Sequence, residues 1–241
     1  MKKTFLLFSL VFTSFYAFST VNFPSPQQPG KAKIISKKNS WKLSNNLFEA
    51  SYSLDNGQLI FAGCEALGLS GDNDLFRIAL TDNTVISSSQ MQLSDIDVEV
   101  LKPNARAVRL VEKEAGKSLK VTFTHQHLKV VWRAVLRNNS HYLRTELEIS
   151  TTKDVEMNHI VAMLYTLNHE TPMPAVVGNT RGALLASERI FAGLETPMGI
   201  NEVEQKNDNV KIKGIWSRKT TLRANDTWEI ASVVGMIASG Q

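Results

Sequence analysis

Leu128-Lys129-Val130-Val131-Trp132-Arg133-Ala134-Val135-Leu136-Arg137-Asn138-Asn139-Ser140-His141-Tyr142-Leu143-Arg144-Thr145-Glu146-Leu147-Glu148-Ile149 is the stretch that decides the fold. Leu128, Val130, Trp132, Ala134 and Leu136 share one parity. Residues 137–141 interrupt it with a polar turn, and Leu143, Thr145, Leu147 and Ile149 resume it. Tyr142, Arg144, Glu146 and Glu148 occupy the other parity. Successive side chains of a strand point to opposite faces, so this is a long antiparallel hairpin with one dry and one wet face.

The same period continues outward. Phe48, Ala50, Tyr52 and Leu54 alternate, Asp55-Asn56-Gly57 follows, and Leu59 and Phe61 resume. Asn-Gly accepts the positive φ angles of a tight hairpin turn. Short strands are expected at residues 75–80, 108–111 and 119–123, and Ile96, Val98 and Val100 alternate with acids. Residues 157–167 are mostly apolar, which predicts a strand buried on both faces. Residues 210–216, 220–223 and 228–237 complete the series. Residues 182–195 fit either a short helix or two short strands. About a dozen strands at this spacing predict an all-β protein, an antiparallel β-sandwich or barrel.

The last strand, residues 227–237, is apolar enough to need neighbours on both faces. It either docks at the centre of a sheet or has lost what came next. Its alternation can close a sandwich and leave Ser239-Gly240-Gln241 as the start of a linker, so the chain is expected to be the front part of a longer protein.

At the other end, Met1-Lys2-Lys3, the apolar residues 4–16 and Ala17-Phe18-Ser19 make a signal peptide over residues 1–19, with cleavage before Thr20. The mature protein is then secreted or periplasmic, of bacterial type, with no membrane segment after cleavage. Residues 20–40 read as a Pro-rich and basic linker, in which the patch at 31–38 is a solvated edge segment. The β domain runs from 41 to 241.

With 43% hydrophobic and 21% charged residues the chain is an ordinary folded protein. Its formal charge of +4 includes Lys2 and Lys3, which leave with the signal, so nucleic acid is not an expected partner. Cys64 is the only cysteine, which excludes an internal disulfide. Beside a hairpin strand it reads as buried rather than reactive.

Chemistry-bearing residues are sparse. There is no Gly-x-Ser-x-Gly elbow and no phosphate-binding glycine loop. His125 and His127, two apart, are able to share a face and a zinc ion, but the parity flips between Thr124 and Leu128, which places them on a turn or bulge. Asp72 and Asp74 lie in a polar loop that offers oxygens to calcium but lacks the following glutamate of a helix-loop-helix site, so a plain turn is favoured. No cofactor or metal is expected, and no residue stands out as catalytic. Residues 176–182 and 191–199 carry glycines that break the strand pattern and concentrate Asn179, Arg181, Glu188 and Glu195. Planar amide, guanidinium and carboxylate groups suit sugar hydroxyls. The competing reading is a structural ion pair of Arg181 with Glu195 in a rim loop. Trp216 joins these four as a candidate carbohydrate contact.

Gly178-Asn179-Thr180-Arg181-Gly182 together with Phe191-Ala192-Gly193-Leu194-Glu195-Thr196-Pro197 resembles the N-terminal β-supersandwich of secreted bacterial glycoside hydrolases of the alpha-galactosidase-like clan, including Bacteroidetes proteins labelled enterotoxin. The hairpins at 47–61 and 130–149 are similar to those of a galactose-mutarotase-like sandwich. The resemblance covers residues 41 to 241. It implies a supersandwich that precedes a catalytic (β/α)-barrel bearing two aspartates, none of which is matched here. The implied role is a non-catalytic, carbohydrate-associated domain, with a galactose-containing glycan and the barrel as partners. The alternatives are a stand-alone carbohydrate-binding protein and a mutarotase-like sugar epimerase. The last needs a His acid and a Glu base across one sheet, and His159 with Glu195 is the pair to test.

Overall fold

The computed structural model describes residues 27–237. The expected signal peptide, its cleavage point before Thr20 and the linker start at 239–241 lie outside the described residues. Among the described residues the chain forms eighteen strands, in order β1 Lys33–Lys37, β2 Ser40–Ser44, β3 Glu49–Asp55, β4 Gln58–Cys64, β5 Leu69–Asp72, β6 Arg77–Leu80, β7 Val85–Ser87, β8 Gln92–Leu101, β9 Gly116–His125, β10 Leu128–Arg137, β11 Tyr142–Thr151, β12 Val155–Leu167, β13 Ala175–Val176, β14 Leu185–Ala186, β15 Ile190–Leu194, β16 Ile200–Lys206, β17 Asn209–Leu222 and β18 Thr227–Met236. Three single turns of 3₁₀-helix are the remaining regular structure among those residues.

The strands form two antiparallel sheets. The first runs β1-β2-β3-β4-β5-β12-β17-β16, with the β6–β7 hairpin attached to β12. The second runs β13-β14-β15-β18-β11-β10-β9-β8. One edge of β12 is shared, because residues 157–161 pair with β6 while Thr166 and Leu167 pair with β5. Its other edge takes β17 along nearly its whole length, across two bulges. This position explains the unbroken apolar run of β12, in which residues 160–165 are all buried.

The inward parities of both sheets meet in one core. Leu128, Val130, Trp132, Ala134 and Leu136 are all buried on β10, as are Leu143, Leu147 and Ile149 on β11. Tyr52, Phe61 and Tyr165 of the first sheet and Trp132 of the second form an aromatic chain, edge-on for Tyr52–Trp132 and Phe61–Tyr165 with centroids 5.4 and 5.3 Å apart, and tilted for Tyr52–Phe61 at 5.4 Å. Asn56 (φ 49°) and Gly57 (φ 79°) close the β3–β4 hairpin as the Asn-Gly signature requires. β18 lies between β15 and β11, so the last strand does dock inside a sheet.

Four segments depart from the sequence reading or sharpen it. Residues 108–111 are not a strand: Leu110–Lys113 is a 3₁₀ turn and Val108 is fully exposed. The Asn104 side chain accepts the Arg106 amide and its backbone N–H bonds to Glu112, so local capping outcompetes the short apolar run. Residues 210–216 and 220–223 are one continuous strand, β17, because β12 carries it across the polar stretch between them. Residues 182–195 form two short strands, β14 and β15, rather than a helix. The basic patch is the edge strand β1, so the first sheet begins at Lys33, inside the stretch that reads as linker. Lysines on such an edge discourage pairing with other chains.

Gly182 is held at φ +81°, and an added Cβ there would sit 2.8 Å from the Pro197 carbonyl oxygen. Gly182→Ala is therefore expected to lower the unfolding free energy by about 2 kcal/mol, read from urea denaturation. An unchanged midpoint would show that residues 182 and 197 are not packed as described.

Candidate functional site

The five residues singled out for carbohydrate contact fall in three places. Asn179 and Arg181 are exposed in the turn between β13 and β14, along a 310 Å³ hollow that reaches Asn201. Glu188 is exposed in the turn between β14 and β15. Glu195, just after β15, and Trp216, on β17, are brought together. The Arg181–Glu195 ion pair does not form. Glu195 accepts instead from Arg144, whose Nε and Nη2 lie 2.7 and 3.0 Å from the two carboxylate oxygens. The cause is strand order: β11, β18 and β15 run side by side, and Val233 pairs with both Arg144 and Gly193.

Glu195 and Trp216 line a 130 Å³ notch with Arg109 and Glu229. A 340 Å³ hollow adjoins it, sharing Arg109 and Glu229 and extending to Arg133 and Glu148. The hollow lies along the outer face of the second sheet, where the wet parities of β10, β11 and β18 align, and the notch lies at its margin, where Trp216 of the first sheet reaches it. Arg133 reaches Glu148 at 3.4 Å and Glu99 at 3.6 Å, and Arg109 reaches Glu112 at 3.0 Å and Glu195 at 3.5 Å. Glu148 and Glu229 are direct cross-strand partners. Like charges in that relation repel, and among the described residues no donor engages the Glu229 carboxylate. Trp216 meets Trp228 edge-on at 5.3 Å, and the Arg218 guanidinium covers both rings at 5.1 and 4.8 Å. The notch thus joins an aromatic ring, a free carboxylate and a guanidinium, which suits the apolar face and hydroxyl edge of a sugar. Sequence reading missed Arg109 and Glu229. The wet parity of β18 marks Glu229, whereas Arg109 lies in the segment misread as a strand.

The outer face of the first sheet carries a larger concavity. Ser70, Thr166, Lys211 and Glu204 are successive register partners across β5, β12, β17 and β16. They line a 940 Å³ bowl whose rim comes from residues 168–170 and 206–209. Asp72 stands beside it, with Asp74 two residues on, and here the reading of a plain polar turn is corrected. Both are buried. Asp72 Oδ2 accepts from Lys211 Nζ at 2.6 Å and from Thr166 Oγ1 at 2.8 Å. Asp74 accepts from Ser89 Oγ at 2.6 Å and Arg77 Nε at 2.9 Å. These carboxylates are committed to protein cations and hydroxyls.

Burial favours the protonated form of Asp74, but the Ser89 and Arg77 hydrogen bonds outweigh it and hold the carboxyl below the usual carboxylate range. A depressed folded-state pKa contributes stability that is present above the unfolded value, about 3.9, and is lost as pH falls through the folded value. Asp74→Asn is expected to cost about 2 kcal/mol at neutral pH and to flatten the acid limb of the stability profile below about pH 4. Urea midpoints measured down the acid range check this, and a variant with an unaltered acid limb would contradict it.

The remaining candidates are placed plainly. His159 sits on β12 between Ala79 and Ser217, in the parity opposite to the buried Ile160, and so on the outer side of the first sheet. Glu195 is tied to Arg144 on the outer side of the second sheet. The two do not face each other across one sheet, which removes the acid–base pair an epimerase was expected to use. His125 and His127 flank Gln126 (φ 51°) at the β9–β10 hairpin turn. Cys64 is buried, and burial pushes its thiol up to about 11.

No protein-family model and no curated protein matches the chain by sequence. Solved structures match by shape. The galactosidase domain of the alpha-galactosidase-sucrose kinase AgaSK superposes with a TM-score of 0.60 at 11% identity, over 84% of this chain and 41% of that one. The GH36 alpha-galactosidase AgaB from Geobacillus stearothermophilus gives 0.58 at 9% identity, over 85% and 40%. Galactose 1-epimerase from Lactobacillus acidophilus NCFM gives 0.54 at 11% identity, over 86% and 98%. The protein is therefore a galactose-mutarotase-like β-sandwich, the fold that fills nearly the whole of that epimerase. It spans about two fifths of the length of the alpha-galactosidases it matches.

Proposed function

We propose that the chain is a non-catalytic, carbohydrate-associated β-sandwich domain of a secreted alpha-galactosidase-like glycoside hydrolase, with a catalytic (β/α)-barrel as its partner. The observation that carries this reading is the match of the sandwich to about two fifths of each alpha-galactosidase chain. The signal-like residues 1–19 support export to the periplasm or beyond. The Trp216–Glu229 notch is the proposed glycan contact, with Glu195 held beside it by Arg144. Sequencing of the adjoining DNA tests the reading: in-frame or neighbouring strand–helix repeats with aspartates are expected. A stop followed by no barrel gene would overturn it. In calorimetry with raffinose, Trp216→Ala is expected to weaken binding about tenfold.

One observation favours a second, free-standing reading. The same fold makes up 98% of the galactose 1-epimerase chain, so the sandwich suffices as a whole protein there. With His159 and Glu195 apart, that reading is a carbohydrate-binding protein rather than an epimerase. Polarimetry on freshly dissolved α-galactose is expected to show mutarotation at the buffer rate. Acceleration by the wild-type chain would restore the epimerase.

A further inference from the structure

We propose that the bowl on the outer face of the first sheet is a second glycan site, built for a neutral oligosaccharide, on the opposite side of the sandwich from the Trp216 notch. The inference rests on the carbohydrate-associated reading above and adds to it a separate site and a substrate class.

The floor of the bowl is rigid. Thr166 and Lys211 are both fixed by the buried Asp72 carboxylate, and the Ser70 hydroxyl donates to the Thr166 carbonyl at 3.3 Å. Burying a carboxylate on the solvent side of a sheet is costly unless its partners are held tightly. Here it orients an ammonium and a hydroxyl beneath an open cavity. Arg189 closes one wall, its Nε and Nη2 donating to the backbone carbonyls of Ala66 and Glu65 at 3.1 and 2.8 Å. Those bonds leave its charge unneutralised and its position set.

The rim is the opposite: unengaged and, apart from the half-buried Asn168, exposed. Among the described residues no side-chain hydrogen bond or ion pair occupies Asn168, His169, Glu170, Lys206, Asn207 or Asp208. They come from two loops facing each other, the segment after β12 and the β16–β17 turn, where Asn207 adopts φ 53°. Free amides, carboxylates, an ammonium and an imidazole offer paired donors and acceptors on both sides of one cavity, the complement of vicinal hydroxyls.

Charge and lining decide the ligand class. Four carboxylates, Glu65, Glu170, Glu204 and Asp208, face three cations, Arg189, Lys206 and Lys211. The near-cancellation, with a slight negative excess, disfavours an acidic saccharide or a phosphate. Leu167 is the one aliphatic side chain of the lining and no aromatic joins it. A protein partner would need an apolar centre. The 940 Å³ volume lies at the upper end of small-molecule sites, which fits a short oligosaccharide better than a single sugar.

The test is calorimetry of the purified chain with raffinose and a neutral galactomannan oligosaccharide, against a trigalacturonate control. The variants are Asn207→Gly, which keeps the left-handed turn, Glu170→Ala, and Trp216→Ala. Thermal unfolding confirms that each is folded. Binding of the galactomannan oligosaccharide weakened about tenfold by Asn207→Gly and Glu170→Ala, and retained in Trp216→Ala, supports the bowl, raffinose reporting on the notch. Binding lost in Trp216→Ala but untouched by the rim variants overturns the bowl and leaves the notch standing. Tighter binding of trigalacturonate overturns the neutral class. Heat from none of the glycans overturns both sites.

Discussion

Trp132→Ala is expected to lower the unfolding free energy by about 4 kcal/mol, the largest loss of any single substitution considered. Trp132 is 2% exposed and sits in the middle of β10, a strand flanked on both sides. Its ring meets Tyr52 of the opposite sheet edge-on at 5.4 Å, and Tyr52 continues to Phe61 and Tyr165. The indole is therefore the point where the second sheet touches the aromatic chain of the first. Truncation removes the transfer energy of a large side chain and leaves a void that two hydrogen-bonded sheets cannot close. Urea denaturation followed by circular dichroism measures it. Trp216→Ala, at a half-buried position beside the notch, is expected to cost less. A Trp132→Ala loss no greater than that of Trp216→Ala would mean that the sheets are not packed through this contact.

Arg144→Ala is expected to cost about 3 kcal/mol. The Arg144 side chain is 9% exposed and donates to both oxygens of Glu195 and to Glu146. Removing it leaves Glu146 without its cation and Glu195 with Arg109 alone, on a face already crowded with acids. Arg144→Lys keeps the charge but cannot make the two-pronged contact, so it should recover only part of the loss. A double-mutant cycle with Glu195→Ala is expected to give a coupling energy of about 2 kcal/mol. Strict additivity would show that the pair contributes nothing. Because Glu195 also borders the notch, Arg144→Ala is expected to weaken any Trp216-dependent glycan binding as well.

These two residues show which parts of the molecule were legible in the sequence. Trp132 stands in a five-residue alternation, and its burial follows from period alone. The wet face of Arg144 follows from the same period, but its partner does not. Sequence reading pairs Glu195 with Arg181, close in the chain and in a shared glycine-rich region. The actual partner lies 51 residues away and reaches Glu195 because β18, arriving last, inserts between β11 and β15. Asp72 shows the same limit. Flanked by Gly71 and Asn73 it reads as a turn, yet Lys211, 139 residues on, turns it into a buried anchor. The misread residues 108–111 show the converse: an apolar run short enough for local Asn capping to defeat it.

What the sequence determined by itself is the long alternating hairpins at 48–61 and 128–149 and the face each of their residues takes. Side-chain alternation and the positive φ angles of Asn-Gly are local properties of the backbone, independent of what lies across the sheet. The tertiary structure alone decided the strand order, the central place of β18, the ion pairs on both outer faces and the two concavities between them. Those depend on which distant strands meet and in what register, and a one-residue change of register would exchange every inward and outward side chain. The Trp216 notch and the polar bowl are products of that pairing, assembled from strands and loops that no local pattern connects.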